Sequence, residues 1–217
     1  MVKVKICGLT NREDAVKAYE LGADYLGFIF VEGTIRYRED LKDVILSLPD
    51  ELKKRAQPVG LFKDEDLEKV TETALACDIG YLQLHGDESP SYCRDLKEAL
   101  KGSVKIMKVF KVKEEVLPVK YHILDDYVDA DFFVFDAFHV ELAGGAGVKF
   151  GEEVLMKERE KIKKPFFVAG GLTPGNVSSL IKKLRPYGVD VSSGVEKSPG
   201  RKDEKLLKEF IENAKKS

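Results

Sequence analysis

The sequence predicts an α/β fold, a single (β/α)8 TIM barrel spanning residues 1–217 as one domain. Three observations predict it. Short apolar runs alternate with helical segments eight times along the chain, and such alternation gives parallel strands. Eight units within 217 residues is near the minimum length for a closed barrel of this kind. The chemically unusual residues gather where apolar runs end: Cys7-Gly8, His85-Gly86-Asp87, Asp136, Gly144-Gly145-Ala146-Gly147, Gly170-Gly171 and Ser192-Ser193-Gly194. In a barrel all of these ends open on one face. An open doubly wound sheet is the alternative, and it usually has fewer units.

The elements follow in order. "VKVKIC" alternates like a strand. In "NREDAVKAYELGA", Ala15, Val16, Ala18 and Tyr19 recur at helical spacing, and Gly22 suits the helix end. "DYLGFIF" is the second strand, and the helix "EDLKDVILSLP" stops before Pro49. "QPVGLF" precedes the helix "DEDLEKVTETALAC". "IGYLQLHG" precedes "SPSYCRDLKEALKG", with Ser89 as N-cap and Pro90 in the first turn. "SVKIMKVFKV" is the fifth strand, and Pro118 interrupts the helical segment after it. "ADFFVFDAF", a glycine-rich loop "ELAGGAGVKF" and a short helix around "GEEVLMKEREK" make the sixth unit. "KPFFVAGG" with a helix starting near Pro174 makes the seventh, and "GVDVSSGVE" with "DEKLLKEFIENAKK" the eighth. No interdomain linker or low-complexity stretch divides them.

Composition narrows the partners. The formal net charge is −2, and no Lys/Arg stripe interleaved with aromatics marks a nucleic-acid surface. No run approaches the ~18 apolar residues of a membrane span, and the first residues lack an apolar signal core. Cys7, Cys77 and Cys93 form neither a disulfide framework nor a metal spacing, which fits a reducing cytoplasm. His85, His122 and His139 are scattered, so no metal site is expected.

Two glycine-rich strand ends stand in the seventh and eighth units. Gly170 and Gly171 lie just before a helix, and Ser193 and Gly194 follow the eighth strand. Backbone N–H groups brought close by glycine favour an anion, and these two loops are a frequent phosphate site in barrels. Single glycines merely turn the chain; both loops together favour phosphate. Cys7 and Asp136 end the first and sixth strands and can face each other across the mouth. Alone, Cys7 reads more readily as a small buried side chain, and Asp136 as a loop cap. Placed at one barrel mouth, a thiolate base and a carboxylic acid can share one proton-transfer reaction. Arg36, after the second strand, suits a carboxylate, whereas nearby Arg38 reads as surface. His85 either lines the pocket or donates to a loop carbonyl. The loop "ELAGGAGVKF" is either a lid or a plain connection.

"KICGLT" at 5–10, "GFIF" at 27–30, "VGLF" at 59–62, "QLHGDE" at 83–88, "GGAG" at 144–147, "VAGGLTPGNV" at 168–177, "VDVSSGVE" at 189–196 and "PGRKD" at 199–203 occur in that order. Together they resemble the phosphoribosylanthranilate isomerase family of tryptophan biosynthesis over nearly the whole chain. The resemblance implies a (β/α)8 barrel without metal or organic cofactor. It implies an intramolecular aldose–ketose isomerase, acting on a phosphorylated sugar–anthranilate by an Amadori rearrangement. It implies Cys7 as general base, Asp136 as general acid, Arg36 near the anthranilate carboxylate, and the loops at Gly171 and Gly194 around the phosphate; His85, Gly170 and Ser193 stand beside them as substrate-binding candidates from their places at strand ends. A cytoplasmic monomer or homodimer is expected. The family's Ser-Pro-Arg reads Thr34-Ile35-Arg36 here, and its Gly-Gly-Thr-Gly reads Gly144-Gly145-Ala146-Gly147. The rivals are another phosphosugar barrel, which would carry an aspartate at position 7 or metal ligands, and a non-catalytic phosphosugar-binding or thiol-sensing protein.

Overall fold

A computed structural model describes residues 1–112, 122–136 and 159–217, together with 153 and 155–157. Eight strands close into a ring in sequence order: β1 (Lys3–Ile6), β2 (Tyr25–Ile29), β3 (Gln57–Phe62), β4 (Tyr81–Leu84), β5 (Lys105–Lys111), β6 (Phe132–Asp136), β7 (Phe166–Ala169) and β8 (Gly188–Val191). Every neighbouring pair is parallel, and β8 returns to β1 in the register Val4↔Val189, Lys5↔Asp190. Side chains alternate along each strand, so the ring has two cores. Val4, Ile6, Leu26, Phe28, Leu82 and Ile106 point outward against the helices. Tyr25, Val59, Met107, Val109, Val134, Phe167 and Ala169 fill the interior.

The described helices are α1 (Arg12–Glu20), α2 (Leu41–Leu46), α3 (Asp50–Arg55), α4 (Leu67–Ala76), α5 (Pro90–Ala99), α6 (His122–Asp126), α7 (Val177–Leu184) and α8 (Glu204–Lys215). Asn11, Ser89 and Asp203 cap α1, α5 and α8 by accepting from Asp14, Tyr92 and Leu206 N–H groups, each satisfying a donor the helix leaves open. Two boundaries differ from the sequence expectation. Pro49 does end α2's unit, but its fixed φ also starts a second helix, α3, at Asp50. The helix expected near Pro174 begins at Val177, because Asn176 turns back into its own loop. Its Oδ1 accepts from Thr173 N–H at 2.8 Å and its Nδ2 donates to Gly171 O at 3.0 Å. A hairpin, β9 (Glu196–Ser198) with β10 (Arg201–Lys202), follows β8. The expected glycine-rich lid over 141–150, Ala146 and His139 lie outside the described residues.

One anchoring device recurs at opposite sides of the barrel floor. Asp24, just before β2, accepts from Val4 N–H and Lys3 Nζ, each at 2.9 Å, and pairs with Lys215 of α8. Asp131, just before β6, accepts from Ile106 N–H at 2.9 Å and Lys105 Nζ at 3.0 Å, and pairs with Lys97 of α5 at 2.7 Å. Each aspartate thereby ties two strands and a helix together. For both, burial works against the charge, but the lysines and the N–H donor outweigh it and hold the carboxyl below the usual range.

Candidate active site

At the C-terminal ends of the strands lies a cavity of about 570 Å³, lined by Cys7, Arg36, His85, Asp136, Gly170, Gly171, Ser193 and Gly194, with Ile29, Leu61 and Leu172 among its apolar walls. Residues from seven of the eight strands and the loops that follow them thus share one space. Alternation puts a second layer beneath the mouth: Lys5 two residues before Cys7, Gln83 before His85, Asp190 before Ser192. Gln83 and Asp190 also reach the cavity wall.

Cys7 follows β1 and is buried, its N–H donating to Val191 O at 2.8 Å. Burial pushes its thiol pKa up and Asp190 adds to the rise, while Lys5, and more weakly Lys202, pull it back; the balance lies above the ordinary value. Asp136 ends β6, 6% exposed. His85 Nε2 lies 3.5 Å from Asp136 Oδ2, and its Nδ1 meets Gln83 Nε2 at 3.2 Å. With the amide as the donor, the imidazole presents Nε2–H to the carboxyl. The pocket side of His85's two alternatives is the one seen. Its loop is fixed from below. Glu88 accepts from the N–H groups of Gly86 and Asp64 and pairs at 2.7 Å with Lys108, which also donates to Gly86 O.

Arg36 does line the cavity, but its fork is engaged. Nε and Nη2 donate to Glu196 Oε1 and Oε2 at 2.8 and 2.7 Å. Glu196 also receives Lys202 Nζ at 2.9 Å, and Lys202 donates on to Cys7 O and Ser192 O. Burial opposes the Glu196 charge, yet Arg36 and Lys202 outweigh it and hold that carboxyl below its usual range. The fork onto Glu196 fixes the direction of the guanidinium edge that is left over.

Gly170 and Gly171 adopt φ of 84° and 60°, a region that favours glycine. Gly194 packs so closely on loop seven that a Cβ would lie 1.8 Å from Leu172 O. Loops seven and eight thus form one backbone-lined corner. Among the described residues no group of three or more His, Cys, Asp or Glu could hold a metal ion. Sequence reasoning missed Lys5, Gln83, Asp190, Glu196 and Lys202. The period-2 rule carried a signal for the first: it puts Lys3, Lys5 and Cys7 on one face of "KVKIC". Glu196 and Lys202 reach the site only through the fold of the β9–β10 hairpin.

A closed eight-stranded barrel with an acid, a thiol and a glycine-lined backbone corner at its mouth has the build of a barrel enzyme whose site opens at the strand ends. Comparison with known proteins makes this specific. Residues 4–213 match the model of the N-(5'-phosphoribosyl)anthranilate (PRA) isomerase family. The N-(5'-phosphoribosyl)anthranilate isomerase of Trichlorobacter lovleyi is 41% identical over 99% of this chain and 98% of its own. That of Geobacter sp. strain M21 is 42% identical over 100% and 99%. The chain belongs to the phosphoribosylanthranilate isomerase family. The crystal structure of the Thermotoga maritima phosphoribosyl anthranilate isomerase superposes with a TM-score of 0.85 at 35% identity, covering all of both chains. Another structure, at 34% identity and TM-score 0.81, is of such an isomerase in complex with reduced 1-(o-carboxyphenylamino)-1-deoxyribulose 5-phosphate.

Proposed function

We propose that this cavity carries out the Amadori rearrangement of N-(5'-phosphoribosyl)anthranilate to 1-(o-carboxyphenylamino)-1-deoxyribulose 5-phosphate, with Cys7 as general base and Asp136 as general acid. One observation carries the assignment. A thiol from the end of β1 and a carboxyl from the end of β6 line one cavity with the glycine corner of loops seven and eight. The substrate has two anionic ends, and the cavity offers each a place: the corner at Gly171 and Gly194 for phosphate, and the free edge of Arg36 for the anthranilate carboxylate. Anchoring both ends holds the reacting carbons between acid and base.

Asp136 gives its proton to the ribose ring oxygen as the C1′–O bond breaks. The anthranilate nitrogen lone pair forms the iminium. That cation acidifies C2′–H, and the Cys7 thiolate removes the proton to give the enolamine; C1′ then takes a proton back from the Cys7 thiol while the C2′ hydroxyl gives its proton to the Asp136 carboxylate, which leaves the ketone and both groups as they began. His85, beside Asp136, keeps the carboxyl oriented. Each positioned proton transfer contributes roughly 10²–10⁴-fold. The whole chain acts as one barrel unit in a reducing cytoplasm, where its three buried cysteines stay free thiols. No helix among the described residues is long and apolar enough to cross a membrane. The Thermotoga maritima isomerase is described as dimeric, and sedimentation decides between monomer and homodimer here.

The test follows loss of substrate fluorescence in wild type, Cys7→Ser and Asp136→Asn. Wild type converts the substrate, and each variant loses about 10²-fold or more in kcat with a smaller change in KM. Full turnover in folded Cys7→Ser removes Cys7 as the base.

A further inference from the structure

Lys5 is a charged side chain at 0% exposure inside the barrel. An ammonium withdrawn from water is costly unless it is paired. Its neighbours on β1, Val4 and Ile6, face the helices, so Lys5 and Cys7 share the interior face. Lys5 Nζ donates to Asp190 Oδ2 at 2.9 Å across the β1–β8 seam. The other oxygen, Asp190 Oδ1, is buried and has no hydrogen-bond partner among the described residues. One pair thus sits directly beneath the proposed base, and the reaction scheme above gives it nothing to do.

Gly27 on β2 shows how close the pair comes to the sulfur. A Cβ there would lie 2.9 Å from Cys7 Sγ and 3.1 Å from Lys5 Nζ. The two atoms meet over the bare face of that glycine, no more than about 6 Å apart, within the range where an opposite charge favours ionisation. Lys5 is also the strongest of the charges that pull the Cys7 thiol toward its ionised form, and Cys7 in turn helps keep Lys5 protonated against its burial.

Among the described residues the other charges around Cys7 come from several elements, and Lys63, just after β3, adds an exposed cation to the cavity lining. Asp190 on β8 partners Lys5. Arg36, after β2, and Lys202, on β10, are both held by Glu196 on β9. Asp136 on β6 and His85, just after β4, face the sulfur's cavity from the far wall. Three cations, Lys5, Arg36 and Lys202, thus stand against the two carboxylates Asp190 and Glu196 on the Cys7 side, a balance that one thiolate neutralises.

We propose that Lys5 is a positioning residue for the isomerisation: its ammonium, anchored on Asp190, carries the counter-charge for the Cys7 sulfur while it holds and releases the C2′ proton. This rests on Cys7 being the base. Asp190 fixes the ammonium on the strand neighbouring Cys7, and Gly27 keeps the gap between ammonium and sulfur clear.

The experiment measures two pH profiles, in wild type, Lys5→Met and Lys5→Met/Asp190→Asn. The double variant removes both buried charges and covers the case in which the single variant, left with an unpaired aspartate, fails to fold. The first profile is the rate at which iodoacetamide alkylates Cys7, read on the Cys7 peptide by mass spectrometry so that Cys77 and Cys93 do not contribute. The second is kcat/KM. The expected result is an alkylation midpoint higher by about one pH unit in Lys5→Met, as for a thiolate losing a near cation, and a smaller rise in the double variant, because Asp190, which opposes the thiolate, is removed with Lys5. The rise of kcat/KM moves by the same amount, about tenfold at neutral pH, with KM little changed. Unmoved midpoints in the folded variants overturn the proposal, and so does a fall in kcat with both profiles in place, since that is a merely structural effect. A shifted alkylation midpoint with an unshifted kcat/KM profile overturns it differently, by showing that the Cys7 sulfur is not the base.

Discussion

Replacing Gly194 by alanine tests the phosphate corner with one methyl group. The added carbon would sit 1.8 Å from Leu172 O and 3.0 Å from Leu172 C, both backbone atoms that cannot rotate away. Ordinary contact begins near 3.4 Å, so loops seven and eight must part by roughly 1.6 Å. A reacting group misplaced by about 1 Å costs on the order of 10²-fold in rate, and overpacking costs about 1–3 kcal/mol of stability. Gly194→Ala should therefore lower kcat/KM by about 10²-fold and weaken competitive inhibition by inorganic phosphate about tenfold or more. Gly175→Ala, in loop seven, on which Gly194 packs, is the control: its Cβ meets only Thr173 Oγ1 at 3.8 Å, and its phosphate inhibition should match wild type. The assay is steady-state fluorescence kinetics with phosphate as inhibitor, on proteins checked by circular dichroism. Undiminished phosphate inhibition in folded Gly194→Ala would refute the placement of the phosphate between these loops.

Three further outcomes are expected. Glu196→Gln leaves Lys202 buried without its carboxylate and frees one arm of Arg36; chemical denaturation should show a loss of about 3 kcal/mol, and KM should rise more than kcat falls. Because burial raises the Cys7 thiol pKa, the thiolate fraction grows with pH, so kcat/KM should climb between pH 6 and 8; a flat profile there would mean that the base is already ionised. Asp24→Asn should cost about 1–2 kcal/mol at pH 7, discounted for the partly exposed lysines. The folded carboxyl titrates below its unfolded value, so this stability is present above the unfolded pKa and is lost as pH falls through the folded one. Urea midpoints of wild type and variant should therefore converge in strong acid; a constant gap would place the effect in packing.

Much of the fold was legible because a barrel repeats one local rule. The apolar runs of "GLF" and "FFVF" and the caps at Ser89 and Asp203 depend on near neighbours in the chain. Where the reading slipped, a side-chain contact that residue spacing does not show had intervened. Asn176 gives its side chain to Thr173 and Gly171, so its helix starts later than Pro174 suggests. The half-turn pairing of Asp24 with Lys215 and of Asp131 with Lys97 links residues that no periodicity connects.

The candidate site divides in the same way. By itself the sequence determined that Cys7, His85, Asp136, Gly171 and Gly194 sit at strand ends, since strand ends are local, and the closed ring brings all strand ends to one face. Only the tertiary structure decided that Arg36 is already forked onto Glu196, that Lys202 reaches under Cys7 from 195 residues away, and that Lys5 and Asp190 share a charge across the seam where β8 closes on β1. Ion pairs of this kind depend on distance in space and on exclusion of water, and neither is fixed until the barrel closes.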